Sequence, residues 1–161
     1  MRQARGAGLT NRKRCTLGPM KTHDTTIMKY VDAEHREDVV ALWREVFDYP
    51  AEYNLPEFVI DRKIEHDELF FVAVRQGRVM GTVMAGYDGH RGWIYSLAVS
   101  PTCRKQGMGS MLLESAMLAL EQLGCFKVNL QILEENRAVR RFYEANGFAV
   151  EKRLSMGRKI G

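Results

Sequence analysis

The residues that could do chemistry are concentrated in the second half of the chain. Arg104-Lys105-Gln106-Gly107-Met108-Gly109-Ser110 follows an apolar run ending at Val99-Ser100-Pro101 and opens the most regular amphipathic stretch of the sequence. At a helix start the first backbone N–H groups lack intrahelical acceptors and the dipole is positive. An anion fits there if small residues let it approach, and Gly107 and Gly109 meet that need. The spacing is not the six-residue dinucleotide fingerprint, whose third glycine is missing, nor a P-loop, which ends in Lys-Ser or Lys-Thr. An ordinary glycine turn and a different kind of phosphate cradle both remain open. Further on, Tyr143 lies beside Phe142 on an apolar stripe, as a core aromatic would, and Asn136 precedes that stripe where a helix cap belongs.

Two stretches carry a resemblance. Arg104-x-x-Gly107-x-Gly109 resembles the acetyl-CoA pyrophosphate loop, R/Q-x-x-G-x-G/A, of the GNAT superfamily of N-acetyltransferases. Asn136-Arg-Ala-Val-Arg-Arg-Phe-Tyr143-Glu-Ala-Asn-Gly147-Phe148 resembles that superfamily's second signature, N-x-x-A-x-x-x-Y-E-x-x-G-F, with the alanine one place early. The resemblance covers about residues 25 to 160. It implies transfer of an acetyl group from acetyl-CoA to a primary amine of a small molecule or protein, by direct attack in a ternary complex. A module that senses acetyl-CoA without catalysis is the alternative.

By resemblance, the backbone N–H groups of Gln106, Gly107, Met108, Gly109 and Ser110 hold the pyrophosphate beside Arg104 and Lys105. The pantetheine arm lies along Leu97, Ala98 and Val99 like an added strand, and an amide near Val99 faces the developing oxyanion. Asn136 bonds the arm or caps its helix, and Tyr143 sits where the family places its general acid. A thiol leaves with a pKa of about 8.5 and a tyrosine donates at about 10, so no large shift is required. The ribosomal-protein-alanine branch of the family carries a Glu where this chain has Gln131, and Gln cannot take a proton. Asp88 and His90, in a glycine-rich loop, are then the candidate bases, with Glu134 and Glu135 as others; His90 has the pKa range for the task. Tyr95 alternates with Leu97 and points into an acceptor pocket or into packing. Glu57, Asp61, Glu65, Asp67 and Glu68 make one region acidic, which favours a cationic amine or marks a solvated helix face.

These groups need a scaffold. Thr25 to Val31 reads as a strand, with Asp32 available to cap a helix whose buried face holds Val39, Val40, Trp43, Val46 and Phe47 and which stops at Tyr49-Pro50. A second helix runs from Pro56 to about His66. Leu69 to Val74 and Val79 to Ala85 form a hairpin around Gln76-Gly77, and Trp93 to Val99 makes a third strand after the loop Gly86 to Gly92. Gly107 to Leu123 is a helix with Met108, Met111, Leu112, Ala116, Ala119, Leu120 and Leu123 on its inner stripe. Phe126 to Ile132 reads as a strand and Asn136 to Asn146 as the last helix. Short strands follow near Phe148 to Val150 and Leu154 to Met156. The order βααβββαβαββ gives an α/β (α+β) fold, a mixed, mostly antiparallel sheet flanked by helices, and the resemblance implies the acyl-CoA N-acyltransferase fold.

Composition narrows the rest. With 161 residues, 45% hydrophobic and 27% charged, the chain suits one globular domain and not a disordered or fibrous one. Its charge of +4 is local: residues 1–20 carry +5 without an acid, leaving the remainder at −1. A nearly neutral body gives no reason to expect nucleic acid as a partner. Residues 1–24 are expected to be a basic, disordered extension ahead of a domain at 25–161. The first twenty residues are upstream of a start at Met20 or Met28, a targeting peptide or a nucleic-acid arm. Cys15, Cys103 and Cys125 lack zinc or disulfide spacing, and His23, His35 and His66 are scattered, so no metal is expected and a reducing, cytoplasmic setting fits. No apolar run approaches the roughly 20 residues of a membrane span. A monomer and a homodimer are both compatible with the sequence.

Overall fold

The computed structural model describes residues 20–22, 24–47 and 51–160; the expectations for the first nineteen residues and for the Tyr49-Pro50 stop lie outside them. Its elements are β1 (Met20–Thr22), β2 (Thr25–Lys29), α1 (Asp32–Val46), α2 (Pro56–His66), β3 (Phe70–Arg75), β4 (Arg78–Tyr87), β5 (Gly92–Val99), α3 (Met108–Gln122), β6 (Val128–Asn129) and α4 (Arg137–Ala145). The strands form one six-stranded sheet in chain order. Neighbours are antiparallel up to β5, and only β5 and β6 run parallel, joined across α3.

β3 explains why an apolar run of this kind reads as a strand. Phe71 and Ala73 face one core with Val83, Ile94, Leu112, Ala116 and Leu120 under α3, while Phe70 and Val72 face another with Val39, Trp43, Ile60 and Met84 under α1 and α2. Both faces of the sheet are covered, so alternation of apolar and polar residues is unnecessary. The hairpin from β3 to β4 turns on Gln76 and Gly77, both at positive φ (51° and 74°), the pair of left-handed residues that a two-residue turn requires.

Several expectations are corrected. The sheet starts before Thr25, since β1 pairs with β2 from Met20 opposite Ile27 to Thr22 opposite Thr25. Val31, not Asp32, is the N-cap of α1; its backbone N–H donates to His35 Nδ1, while the Asp32 carboxylate accepts from the Tyr30 hydroxyl and Arg36. The expected strand Phe126 to Ile132 shrinks to Val128–Asn129 because β5 bends away beyond Trp93 and leaves nothing to pair with. Among the described residues no strand follows α4. Residues 151–155 lie beside 127–131, but side chains make the link: Lys127 pairs with Glu151, and Gln131 Nε2 donates to Ser155 Oγ at 2.6 Å. Leu154 and Met156 are therefore 93% and 92% exposed. Leu123, expected on the inner stripe of α3, falls beyond its end and is exposed.

Candidate active site

The site begins where β5 parts from both neighbours. Towards β6, pairing is confined to Gly92 with Val128 and Trp93 with Asn129, so the two strands diverge from Ile94 onward. Towards β4, the register shifts between Thr82 opposite Ala98 and Met84 opposite Tyr95, which places the extra residue at Ser96-Leu97. Ser96 takes a left-handed φ of 46°, which costs roughly 1–2 kcal/mol for a residue with a Cβ. A buried relay holds it there. Trp43 Nε1 of α1 donates to Thr82 Oγ1 at 2.8 Å, and the Thr82 hydroxyl donates to the Ser96 carbonyl at 3.0 Å. Leu97 and Val99 then form part of a wedge-shaped gap whose β5 edge is open to an extended chain.

The gap leads to the glycine loop. After a short 3-10 turn at Pro101–Cys103, Lys105 (φ 58°) and Gly107 (φ 82°) are left-handed, and Gly107 is the N-cap of α3. The first bond of the helix runs from Met111 N to Gly107 O at 3.1 Å. The backbone N–H groups of Gly107, Met108, Gly109 and Ser110 therefore have no intrahelical acceptor and present a nest for an anion. A Cβ at Gly109 would sit 3.2 Å from the Phe142 ring and 3.7 Å from Val99 Cγ2, so a side chain there would close the cradle between β5, α3 and α4. Arg104 Nε is tied back to Val99 O at 3.2 Å. The Gln106 side chain braces the loop, donating to Thr102 O at 3.0 Å and accepting from Arg75 Nη1 at 2.8 Å. Arg75 was not singled out in the sequence, because nothing local links the end of a hairpin to a loop thirty residues later.

α4 closes the other side. Asn136 Oδ1 accepts from Val139 N at 3.2 Å, so capping is its observed role. Tyr143 is 8% exposed, its ring edge-on to Phe142 and Phe148. Burial pushes its phenol up to about 12 rather than leaving it at the ordinary value near 10. It is a core aromatic whose phenol stays protonated at physiological pH.

Asp88 and His90 come from the loop between β4 and β5. They occupy the tip of the β4–β5 hairpin, next to the paired end of the gap at Gly92. Asp88 Oδ1 accepts from His90 N at 2.8 Å and Arg91 N at 2.6 Å, and these amides hold its carboxyl below the usual carboxylate range. That makes it a weak base and a turn-former; the His90 side chain is exposed. The structure instead reveals a clamp on the opposite face of the sheet. Lys63 of α2 donates to the Ala85 carbonyl of β4 and pairs with Asp67 at 2.5 Å, and Asp67 Oδ1 accepts from Leu69 N at 2.7 Å. Burial lowers the Lys63 pKa against the opposing pull of Asp67. Its only sequence signal is the i,i+4 Lys–Asp spacing. No group of His, Cys, Asp and Glu among the described residues could hold a metal ion, and no described helix is long and apolar enough to cross a membrane.

A sheet that opens beside a bulged strand, next to a helix N-terminus with unpaired backbone amides, offers an extended edge that leads to an anion-binding cradle. Residues 30–148 match the Acetyltransferase (GNAT) family. The chain is 39% identical over 125 residues to Acetyltransferase YE1169 of Yersinia enterocolitica, an alignment covering 77% of this chain and 88% of the relative. Among solved structures it is similar to Ard1 from Thermoplasma volcanium, with a TM-score of 0.70 at 23% identity over 80% of this chain and 84% of that one. It is also similar to AAC(6')-Iy in complex with a CoA-containing bisubstrate analogue, with a TM-score of 0.72 at 18% identity over 85% of this chain and 99% of that one. The two structures share the fold. The chain belongs to the GNAT acetyltransferase family and is an acetyl-CoA-dependent N-acetyltransferase.

Proposed function

We propose that the chain transfers the acetyl group of acetyl-CoA to a primary amine of a small molecule or protein by direct attack in a ternary complex. The observation that carries this reading is the continuity of one path: the gap between β5 and β6 runs to the open amides of α3, with Tyr143 buried in α4 alongside. The amides of Gln106 to Ser110 receive the diphosphate, with Arg104 and Lys105 beside them. The edge of Leu97, Ala98 and Val99 pairs with the pantetheine arm as an added strand would, and an amide near Val99 faces the oxyanion. The fit is supported by the Gly109 cradle, which a β-carbon would fill.

Tyr143, held at about 12, binds its proton more tightly than a thiol of about 8.5. It therefore acts as a hydrogen-bond donor to the departing sulfur, passing its proton only as it regains one from the amine nitrogen. Asn136, engaged by its cap through Oδ1, keeps an amide N–H for the arm. With Gln131 where the ribosomal-protein-alanine branch has Glu, the reading does not carry over that branch's carboxylate base or its ribosomal-protein substrate. The domain of this reading includes β1, whose Met20–Thr22 pair with β2, and the reading assigns no role to the basic stretch of sequence before it. The free thiols of Cys103 and Cys125 suit a reducing, cytoplasmic setting; a monomer and a homodimer both fit the reading, and the nearly neutral charge after residue 20 gives it no nucleic-acid partner.

The test is CoA-thiol release with a panel of polyamines, amino acids, aminoglycosides and N-terminal peptides. The expected result is turnover of at least one amine, slowed roughly 10²-fold in Tyr143→Phe with acetyl-CoA affinity preserved. Tight acetyl-CoA binding with no amine consumed would support the sensor alternative, and failure to bind acetyl-CoA would refute the reading.

A further inference from the structure

The donor occupies the gap between β5 and β6, so the acceptor must reach the gap from a face of the sheet that α3 and α4 leave free. The register identifies what waits there. Gly92 pairs with Val128 and Trp93 with Asn129 in parallel, so the next residues correspond as Ile94 with Leu130 and Tyr95 with Gln131. Ile94, Val128, Leu130 and Ile132 pack into the core under α3. Alternation turns Tyr95 and Gln131 to the opposite face, the α1–α2 side. They are the first pair past the point where the strands part. Tyr95 is 47% exposed, and its ring lies on Gly86, where a β-carbon would come within 3.2 Å of Cε2. A β-carbon at Gly86 would push the ring back by a few tenths of an ångström, and the Lys63 bond to Ala85 fixes the strand one residue away. Gln131 is exposed and anchored by Ser155.

We infer that Tyr95 and Gln131 form the two sides of the acceptor subsite on the α1–α2 face, and that this subsite selects amines of low pKa, the α-amines of amino acids and peptide N-termini, over ε-amines. The inference rests on the acetyltransferase reading above. A phenol and a carboxamide can orient a neutral amine by hydrogen bonds, but neither removes a proton from an ammonium at neutral pH. Burial, with the charges of Asp88 and Asp67, raises the Tyr95 pKa and keeps the phenol protonated. The charged groups around the subsite are engaged or peripheral: Asp67 is paired with Lys63, Asp88 with its own turn amides, His90 lies at the hairpin tip, and Glu134 and Glu135 follow in the exposed turn before α4. The reaction then balances without an enzyme base. The lone pair of the neutral amine forms the N–C bond, the C–S bond breaks, and the proton leaving nitrogen ends on sulfur through Tyr143. At pH 7.4 about one-fifth of an α-amine of pKa near 8 is neutral, against about one-thousandth of a lysine of pKa near 10.4. The stronger nucleophilicity of the lysine offsets part of that ratio.

The experiment is kcat/KM against pH for alaninamide and for Nα-acetyl-lysine amide, with wild type, Gln131→Glu, Tyr95→Ala and Tyr95→Phe. Acetyl-CoA binding is measured by calorimetry and folding by circular dichroism. In the wild type, kcat/KM should rise to the pKa of whichever amine is used and favour the α-amine at least about tenfold at pH 7.4. Gln131→Glu should supply a base, add an acidic limb and raise the ε-amine rate about tenfold. Tyr95→Ala should raise the amine KM about tenfold with the acetyl-CoA KM within twofold, and Tyr95→Phe, which keeps the ring, should recover most of that loss. A pH limb that stays put when the amine is changed, equal rates on the two amines, or variants with unchanged amine KM would overturn the inference. So would acetyl-CoA binding without acetylation of alaninamide. Loss of acetyl-CoA binding in the wild type would instead remove the acetyltransferase reading beneath it.

Discussion

Tyr143 shows how much of a role a single residue type conveys and where it stops. Its place on an apolar stripe suggested a core aromatic and its place in the second signature a proton donor; the structure shows the side chain buried between Phe142 and Phe148, and the donor role belongs to the proposed mechanism. The size of its shift was not legible, because desolvation depends on what packs over the ring from outside its own helix. The shift has a consequence for stability. The folded phenol keeps its proton up to about 12, whereas the unfolded one loses it near 10. The unfolded chain therefore binds fewer protons in that window, and stability falls as pH rises from about 10 to 12, by ~2 kcal/mol from this residue. Tyr30, raised in the same direction by burial and its bond to Asp32, adds to the fall. Denaturant midpoints at pH 9 and 11 should differ less in Tyr143→Phe than in the wild type. Asp88 and His90 show the reverse case: their residue types suit a base, but a carboxylate bonded by its own turn's amides has become weaker as one.

Among the elements, the helices and hairpin were readable from periodicity and punctuation. Pro56 marks the first residue of α2, and Gln76-Gly77 turns β3 into β4. The bulge in β5 was not readable, although the site depends on it. Trp43 reads as one more buried position on α1, and Thr82 as one more β-branched residue in β4. Their bonds to each other and to Ser96 join segments 39 and 14 residues apart, which no local pattern encodes. Thr82→Val keeps the shape and removes the hydroxyl, leaving a buried indole N–H and the Ser96 carbonyl unsatisfied. A loss of about 2–4 kcal/mol in urea denaturation is expected. Because Ser96 lies in the stretch of β5 that borders the gap, kcat should fall about tenfold while the acetyl-CoA Kd stays within a few fold.

For the molecule as a whole, the exposed segment after α4 links residues 127–131 with the stretch ahead of α2. It passes Lys127 through Glu151 and Gln131 through Ser155, and it reaches Tyr53 ahead of α2 through Lys159, whose Nζ lies 5.8 Å from the ring centroid. Contacts this exposed contribute little to stability. Ending the chain at Val150 should leave Tm within about 3 °C and acetyl-CoA affinity unchanged, while shifting the acceptor KM several fold by freeing Gln131; a scanning calorimeter and the two-substrate assay check both. The chain's local order was enough to establish the class of fold, and it marked the glycine loop at the start of α3 and Tyr143 of α4 as the positions on which the proposed function rests. Helix stripes, strand runs, glycines and turn residues act over a few positions, and each reports its own conformation wherever the chain folds. Where β6 stops, which face Tyr95 and Gln131 share, and how Arg75 and Thr82 serve the site depended on contacts between distant segments. A strand ends when its neighbour bends away, and a side chain acquires its partner only when a separate element is packed against it.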